Sequence, residues 1–103
     1  MPDGVPQRLL RDASRIAKTF RLKFKNISPD HPRAQRLGAY GQGVIYLRTH
    51  RLGSSRALTY RTMLLTLCHE LAHTVYFLHD HRHYELERAL WIWAQRNGLT
   101  KKH

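Results

Sequence analysis

The segment LCHELAHTVYFLHDHRHY, residues 67–84, carries five histidines. His69 and His73 flank Glu70 in the pattern HExxH. On a helix, residues four positions apart lie one turn apart on the same face, so both imidazoles could point a nitrogen at one ion. Glu70 would lie about 100° round the helix from His69, within reach of a water molecule on that ion.

These residue types predict a hydrolytic zinc centre. Zinc lowers the pKa of a bound water to about 7 and needs neutral imidazole ligands with one open position. Glu70 would not be a ligand but a general base that accepts the proton of the attacking water. The neighbouring residues are apolar, and a buried His–Glu set without a metal or partner would be costly, which argues against a solvated helix face. Cys68 is expected in the core, because it lies on a different face of the helix.

Such a centre needs a third protein ligand, and the best candidate is His79. If the helix continued past His73, His79 would project about 120° away and roughly 9 Å farther along the axis. The helix must therefore end near residues 76–78 and reverse. Because no glycine is present there, a residue in the left-handed conformation would cost about 1–2 kcal/mol. The alternative third ligands are His81, His83, Glu85 and Glu87.

Charge is the strongest compositional signal. Eighteen Lys and Arg against seven Asp and Glu give a net charge of +11. This excess favours a polyanionic partner, above all nucleic acid, either single- or double-stranded. The alternative is a solubilising surface charge. The expected contacts are the basic residues of the first helix and of the segment after it, Arg8, Arg11, Arg15, Lys18, Arg21, Lys23 and Lys25.

Hydrophobic periodicity predicts an α+β fold with an N-terminal helix, a small β-sheet, a long helix carrying HExxH and a C-terminal helix. The predicted helices cover residues 6–20, 56–77 and 82–97, and the predicted strands cover residues 21–26 and 44–48. Ser54 or Ser55 would cap the long helix. Val75 of the long helix and Ala89 of the last helix are expected to face the core.

Length and composition predict one domain over residues 1–103, with a basic tail at 98–103. One cysteine excludes an internal disulfide, and neither a signal core nor a membrane span is recognised. We therefore expect a cytoplasmic monomer associated with the nucleoid or nucleus.

The segment TLCHELAHTVYFLHDHRHYELERAL resembles the active-site segment of the WLM metalloprotease domain, a relative of the SprT and Spartan proteases. The stretch LGAYGQGVIYLR resembles the turn and strand that precede that segment. The resemblance covers about residues 37–93 and implies a minimal zincin-like domain. It also implies that His69, His73 and His79 bind Zn²⁺ and that Glu70 is catalytic. The implied substrates are proteins crosslinked to DNA, with activity promoted by DNA.

Two positions depart from the family pattern. Phe77 stands where the family usually has a glycine in the turn, and His83 stands where it has an aromatic residue, with Tyr84 adjacent. Within this interpretation, a substrate strand would pair beside residues 44–48. The oxyanion would be stabilised by one of four residues, His81, Arg82, His83 or Tyr84.

Two other functions fit part of the pattern. A YbeY-like zinc endoribonuclease has three histidines at similar spacing and an aspartate comparable to that of HDH at 79–81, but it normally lacks a glutamate at position 70. A non-enzymatic nucleic-acid-binding module could use zinc only to tie two helices together, since a small domain gains stability from a metal.

Overall fold

The computed structural model describes residues 4–101 as three helices and one three-stranded sheet, so the predicted α+β class is confirmed. Residues 1–3 and the last two residues of the predicted basic tail lie outside the described part of the chain. The elements in chain order are α1 (Gln7–Phe20), β1 (Asn26–Pro29), β2 (Gly38–Gly41), β3 (Val44–Leu47), α2 (Tyr60–His73) and α3 (His81–Arg96). Among the described helices, none is long and apolar enough to cross a membrane.

The sheet has the order β1-β3-β2, with β3 in the centre. Strand β3 runs parallel to β1, where Ile45 lies beside Ile27, and antiparallel to β2, where it lies beside Tyr40. Gln42 (φ 51°) and Gly43 (φ 84°) form the two-residue hairpin turn between β2 and β3. Positive φ at both positions matches the right-handed twist of the strands they join.

The strand predicted at residues 21–26 does not form, because pairing with β3 begins only at Asn26. Arg21 ends α1 in the left-handed conformation with φ 58°, and the next four residues connect helix to sheet. The alternation of polar and apolar residues nevertheless predicted which side chains of this segment face the core. Leu22 and Phe24 pack against the core while Lys23 and Lys25 are exposed.

The core lies between the sheet and the three helices. Helix α2 is central, since its buried residues meet side chains of α1, α3 and β3. Cys68 is fully buried as expected, and burial raises the pKa of its thiol to about 12. Val75 is exposed because α2 ends before it, and Ala89 is exposed because α3 turns Leu90 and Ala94 inward instead, so both core expectations were wrong.

Helix α2 is shorter than predicted at both ends. Its N-cap is Thr59, whose hydroxyl accepts a hydrogen bond from Thr62 N at 3.2 Å, and not Ser54 or Ser55. The preceding residues form a loop closed by a bridge between His50 and Ala57. This loop forms part of the wall of a pocket.

Strand β2 fits against α2 only because residue 38 is glycine. A Cβ atom on Gly38 would lie 2.6 Å from Thr66 Cγ2 and 3.0 Å from the Tyr46 carbonyl oxygen. A Cβ on Gly41, in the same strand, would meet nothing within 4 Å.

We therefore predict that Gly38→Ala destabilises the fold by about 1–3 kcal/mol, because overpacking forces the strand or helix to shift. Gly41→Ala should change the free energy of unfolding by no more than about 0.5 kcal/mol. Urea unfolding followed by circular dichroism measures both. Equal stability of the two variants would contradict this account of the β2–α2 contact.

Candidate metal centre

Helix α2 carries both histidines of the HExxH motif in its last turns and ends at His73. Tyr76 N donates to the Ala72 carbonyl at 2.9 Å, and the Thr74 hydroxyl donates to the Leu71 carbonyl at 2.6 Å. These bonds satisfy carbonyl groups that a helix end otherwise leaves unpaired.

The turn between α2 and α3 avoids the strain that the sequence suggested. Among the described residues, the only non-glycine residues with positive φ are Arg21 and Gln42, so no residue of the turn is left-handed. Thr74 keeps a right-handed helical conformation as the C-cap of α2. The chain thus reverses over seven residues, 74–80, by ordinary backbone conformations and without a glycine.

Asp80 determines where the next helix starts. Its carboxylate accepts hydrogen bonds from Arg82 N at 3.1 Å and His83 N at 3.2 Å, which is the usual N-cap arrangement. The His83 amide and the Arg82 side chain hold the pKa of Asp80 below its usual value. His79 directly precedes this cap, so the start of α3 brings it to the end of α2.

The structure brings together the three histidines predicted as ligands. His79 Nε2 lies 3.0 Å from His69 Nε2 and 2.9 Å from His73 Nε2. With His83 included, one ligand atom of each of four histidines lies within 4.8 Å of the others. Nε2 atoms bound to one tetrahedral zinc at about 2.05 Å would be separated by about 3.3 Å, close to the distances seen here.

The outer nitrogens of the first two histidines define their tautomers. His69 Nδ1 lies 2.9 Å from Glu87 Oε1, and His73 Nδ1 lies 3.1 Å from the Tyr76 carbonyl oxygen. A carboxylate and a carbonyl only accept hydrogen bonds, so each Nδ1 carries the hydrogen and, in the neutral ring, each Nε2 presents a lone pair. Burial lowers the pKa of the His73 ring and so favours its neutral form.

The donor set therefore fits a metal ion. His79 Nε2 can donate a hydrogen to at most one of its two neighbours, so at least one of the converging lone pairs has no hydrogen to accept and repels the nitrogens around it. A bound cation removes that repulsion. Neutral imidazoles whose outer nitrogens are hydrogen-bonded are the usual zinc ligands.

His83 stabilises the histidine cluster through a contact with the backbone of α2. It is 2 % exposed, and its Nε2 donates to the His69 carbonyl at 3.0 Å. Burial lowers the pKa of this ring as well. His83 is thus committed to the backbone of α2 and cannot reach a substrate oxyanion, contrary to one of the expectations above.

The remaining alternative ligands lie elsewhere. His81 pairs with Glu85 at 3.3 Å on the exposed side of α3, and neither joins the histidine cluster. Glu87 contacts His69 Nδ1 and orients that ring. The sequence pattern did not predict this orienting role, although the four-residue spacing of His83 and Glu87 places both on the α3 face toward α2.

Glu70 is 5 % exposed, and burial is the main reason that its pKa is raised above the usual value. It lies beside strand β2, because a Cβ on Gly38 would be 3.2 Å from Glu70 Cγ. A carboxylate with a raised pKa is a better proton acceptor at neutral pH than a free glutamate.

Seven basic residues were predicted to contact nucleic acid, and the structure separates one from the rest. The guanidinium of Arg8 donates to the carbonyls of Leu99 (2.8 Å) and Lys101 (2.7 Å) and lies 3.8 Å from the ring centre of Tyr60. These contacts give Arg8 a structural role within the chain. The other six, Arg11, Arg15, Lys18, Arg21, Lys23 and Lys25, are exposed, and their contact with nucleic acid stays a prediction.

Known proteins resemble this chain in both family and structure. The WLM domain family matches residues 14–99. The structure of Wss1 from Saccharomyces cerevisiae is similar with a TM-score of 0.78 and 26% identity, covering 88% of this chain and 77% of that chain. Wss1 from S. pombe is similar with a TM-score of 0.66 and 30% identity, covering 82% and 75%. No curated protein sequence matched.

We predict that His79→Ala lowers zinc affinity, because it removes one direct ligand. The loss should exceed the decrease of about 10–100-fold that follows removal of a residue that only orients a ligand. His81→Ala is the matched control, since His81 lies outside the cluster. Competition with a chromophoric chelator measures both affinities. Equal zinc affinity of the two variants would exclude His79 as a ligand.

We also predict that Glu87→Ala weakens zinc binding by about 10–100-fold, because His69 loses the acceptor that fixes its ring. The control is Glu85→Ala, which removes an exposed carboxylate of the same helix. The chelator competition applies again, on samples whose folding is checked by circular dichroism. A loss shared equally by both variants would point to net charge as the cause.

Proposed function

This chain belongs to the WLM domain family, a family of zinc-dependent metalloproteases, and on that premise we propose that it is a single-domain zinc endopeptidase acting on proteins associated with or crosslinked to DNA. The observation that carries the proposal is the convergence of three imidazole Nε2 atoms beside a buried glutamate. A zinc-stapled binding module would need the imidazoles but would have no use for that glutamate.

In this proposal His69, His73 and His79 hold the metal. The chemistry available there when zinc is bound is acidification of a water molecule and polarisation of the scissile carbonyl. Glu87 and the Tyr76 carbonyl keep two of the rings in the ligating tautomer. Glu70 accepts a proton at its carboxylate and then donates it to the leaving amine, and its raised pKa favours both transfers near neutral pH.

The position of a peptide substrate differs from the sequence-based expectation. Strand β3 is paired on both sides, so no peptide can add beside residues 44–48. Strand β2 lies at the edge of the described sheet, and Gly38 in it lies against Glu70. We therefore place an extended substrate along β2, where main-chain pairing would carry it past the general base.

The proposed binding of nucleic acid rests on the positive charge of the chain. The chain carries +11, and six of the predicted contact residues are exposed on α1 and the segment after it. Binding a DNA strand there would hold a DNA-bound protein near the peptidase centre. Such binding should weaken steeply with salt, because it releases condensed counterions.

We predict that zinc-loaded wild-type protein cuts a basic DNA-binding protein, or itself, faster when single-stranded DNA is present. Glu70→Gln should bind zinc normally but cut about 10²–10⁴-fold more slowly, because the general base is lost. Fragments are followed on gels over time, with zinc content measured in parallel.

Full cleavage by Glu70→Gln would contradict the assigned role of this residue. An absence of fragments from folded, zinc-bound wild-type protein would instead favour the stapled binding module or the nuclease. Plain RNA would then be tested as substrate, with His69→Ala as the control for contaminating nucleases.

A further inference from the structure

A pocket of about 580 Å³ lies apart from the histidine cluster and shares no lining residue with it. It is formed by residues 29–32, at the end of β1, and by residues between 48 and 55, after β3. Because β1 and β3 are parallel, with Pro29 beside Leu47, both segments leave the sheet at the same edge. Nothing in the proposed peptidase mechanism uses this pocket.

The pocket wall contains a half-buried guanidinium, that of Arg48, which is only partly hydrogen-bonded. Arg48 Nε donates to the Arg36 carbonyl at 3.0 Å, and Nη1 lies 3.5 Å from the His50 carbonyl. Arg48 Nη2 is buried and finds no hydrogen-bond partner among the described residues. Leaving a charged donor unpaired is costly, and the positive charge of this guanidinium favours an anion in the adjoining pocket.

Asp30, the acidic residue in the pocket wall, does not supply that anion. Asp30 binds Arg36 through two hydrogen bonds, of 2.8 and 3.2 Å, and accepts a third from His31 N at 2.9 Å. The hydrogen bonds from Arg36 hold the pKa of Asp30 below its usual value, so its negative charge is already paired. Asp30 therefore offsets only part of the positive charge of Arg48 and Arg51, which also line the pocket.

Further donors face the same space. His31 Nδ1 accepts from Arg33 N at 3.0 Å, so in the neutral ring His31 carries its hydrogen on Nε2. Ser54 Oγ accepts from Arg56 N at 2.9 Å, which leaves its hydroxyl hydrogen free to donate. The pocket is thus lined by two positively charged arginines, and by an imidazole and a hydroxyl that can donate hydrogen bonds.

We propose that this pocket binds the phosphate group of a nucleotide-sized ligand. Phosphate offers three strong acceptor oxygens where a carboxylate offers two, and planar guanidinium groups suit its geometry. The volume lies in the range of about 300–1,000 Å³ that is typical of small-molecule sites, well beyond what a lone inorganic ion fills. The phosphate is either that of a free nucleotide or that of a nucleic-acid strand, and only the second source rests on the proposed function above.

The test is a set of NMR titrations of zinc-loaded protein at constant ionic strength. The probes are inorganic phosphate, a deoxynucleoside 5′-monophosphate and a short single-stranded oligodeoxynucleotide. We expect saturable shifts of the amide signals of residues 29–32 and 48–55. Tighter binding of the oligonucleotide than of the mononucleotide assigns the site to nucleic acid, whereas equal or weaker binding assigns it to free nucleotides.

Arg51→Ala and Arg56→Ala form a matched pair, because both residues are exposed in one loop and only Arg51 lines the pocket. Arg51→Ala should weaken mononucleotide binding at least about tenfold, the loss expected for a hydrogen bond to a charged group. Arg56→Ala should weaken it less than about twofold, since screening limits the effect of a more distant charge.

Equal losses in the two variants would overturn the proposal in favour of diffuse charge attraction. An absence of saturable shifts with all three probes, or shifts confined to residues near the histidine cluster, would also overturn it. Each outcome is independent of peptidase activity, so a failure of the proposed function leaves this result readable.

Discussion

The mutual repulsion of three imidazole nitrogens is the constraint around which this structure is arranged. His79 Nε2 lies about 3 Å from the Nε2 atoms of both His69 and His73, and the three atoms have too few hydrogens to bond one another. They stay together because their surroundings hold them. Glu87 and the Tyr76 carbonyl fix two rings, and the Asp80 cap fixes the position of the third.

The histidine cluster and the pocket proposed to bind phosphate both follow from the position of β3 in the sheet. Its hairpin with β2 places Gly38 against Glu70, so one side of the sheet leads to the histidine cluster. Its parallel pairing with β1 brings two loops to a common edge, where the pocket forms. A single short strand thus separates the place proposed for a peptide from the place proposed for a phosphate.

Local spacing made part of this predictable from sequence. HExxH specifies the geometry of His69, His73 and Glu70 within one helix, and the limits of α1 and α3 followed from periodicity to within a residue. Features that depend on tertiary contacts were not accessible. The strand at β1 starts where β3 offers a partner, and Glu87 becomes an orienting group only because α3 packs on α2.

The chemistry of the single cysteine has a consequence for the conditions under which the protein can work. Cys68 is fully buried, the pKa of its thiol is raised to about 12, and no thiolate belongs to the histidine cluster. Oxidants and alkylating agents react with exposed thiolates, and thiolate-ligated zinc sites are vulnerable for that reason. An all-imidazole ligand set beside an inert thiol would therefore keep its metal under oxidising conditions.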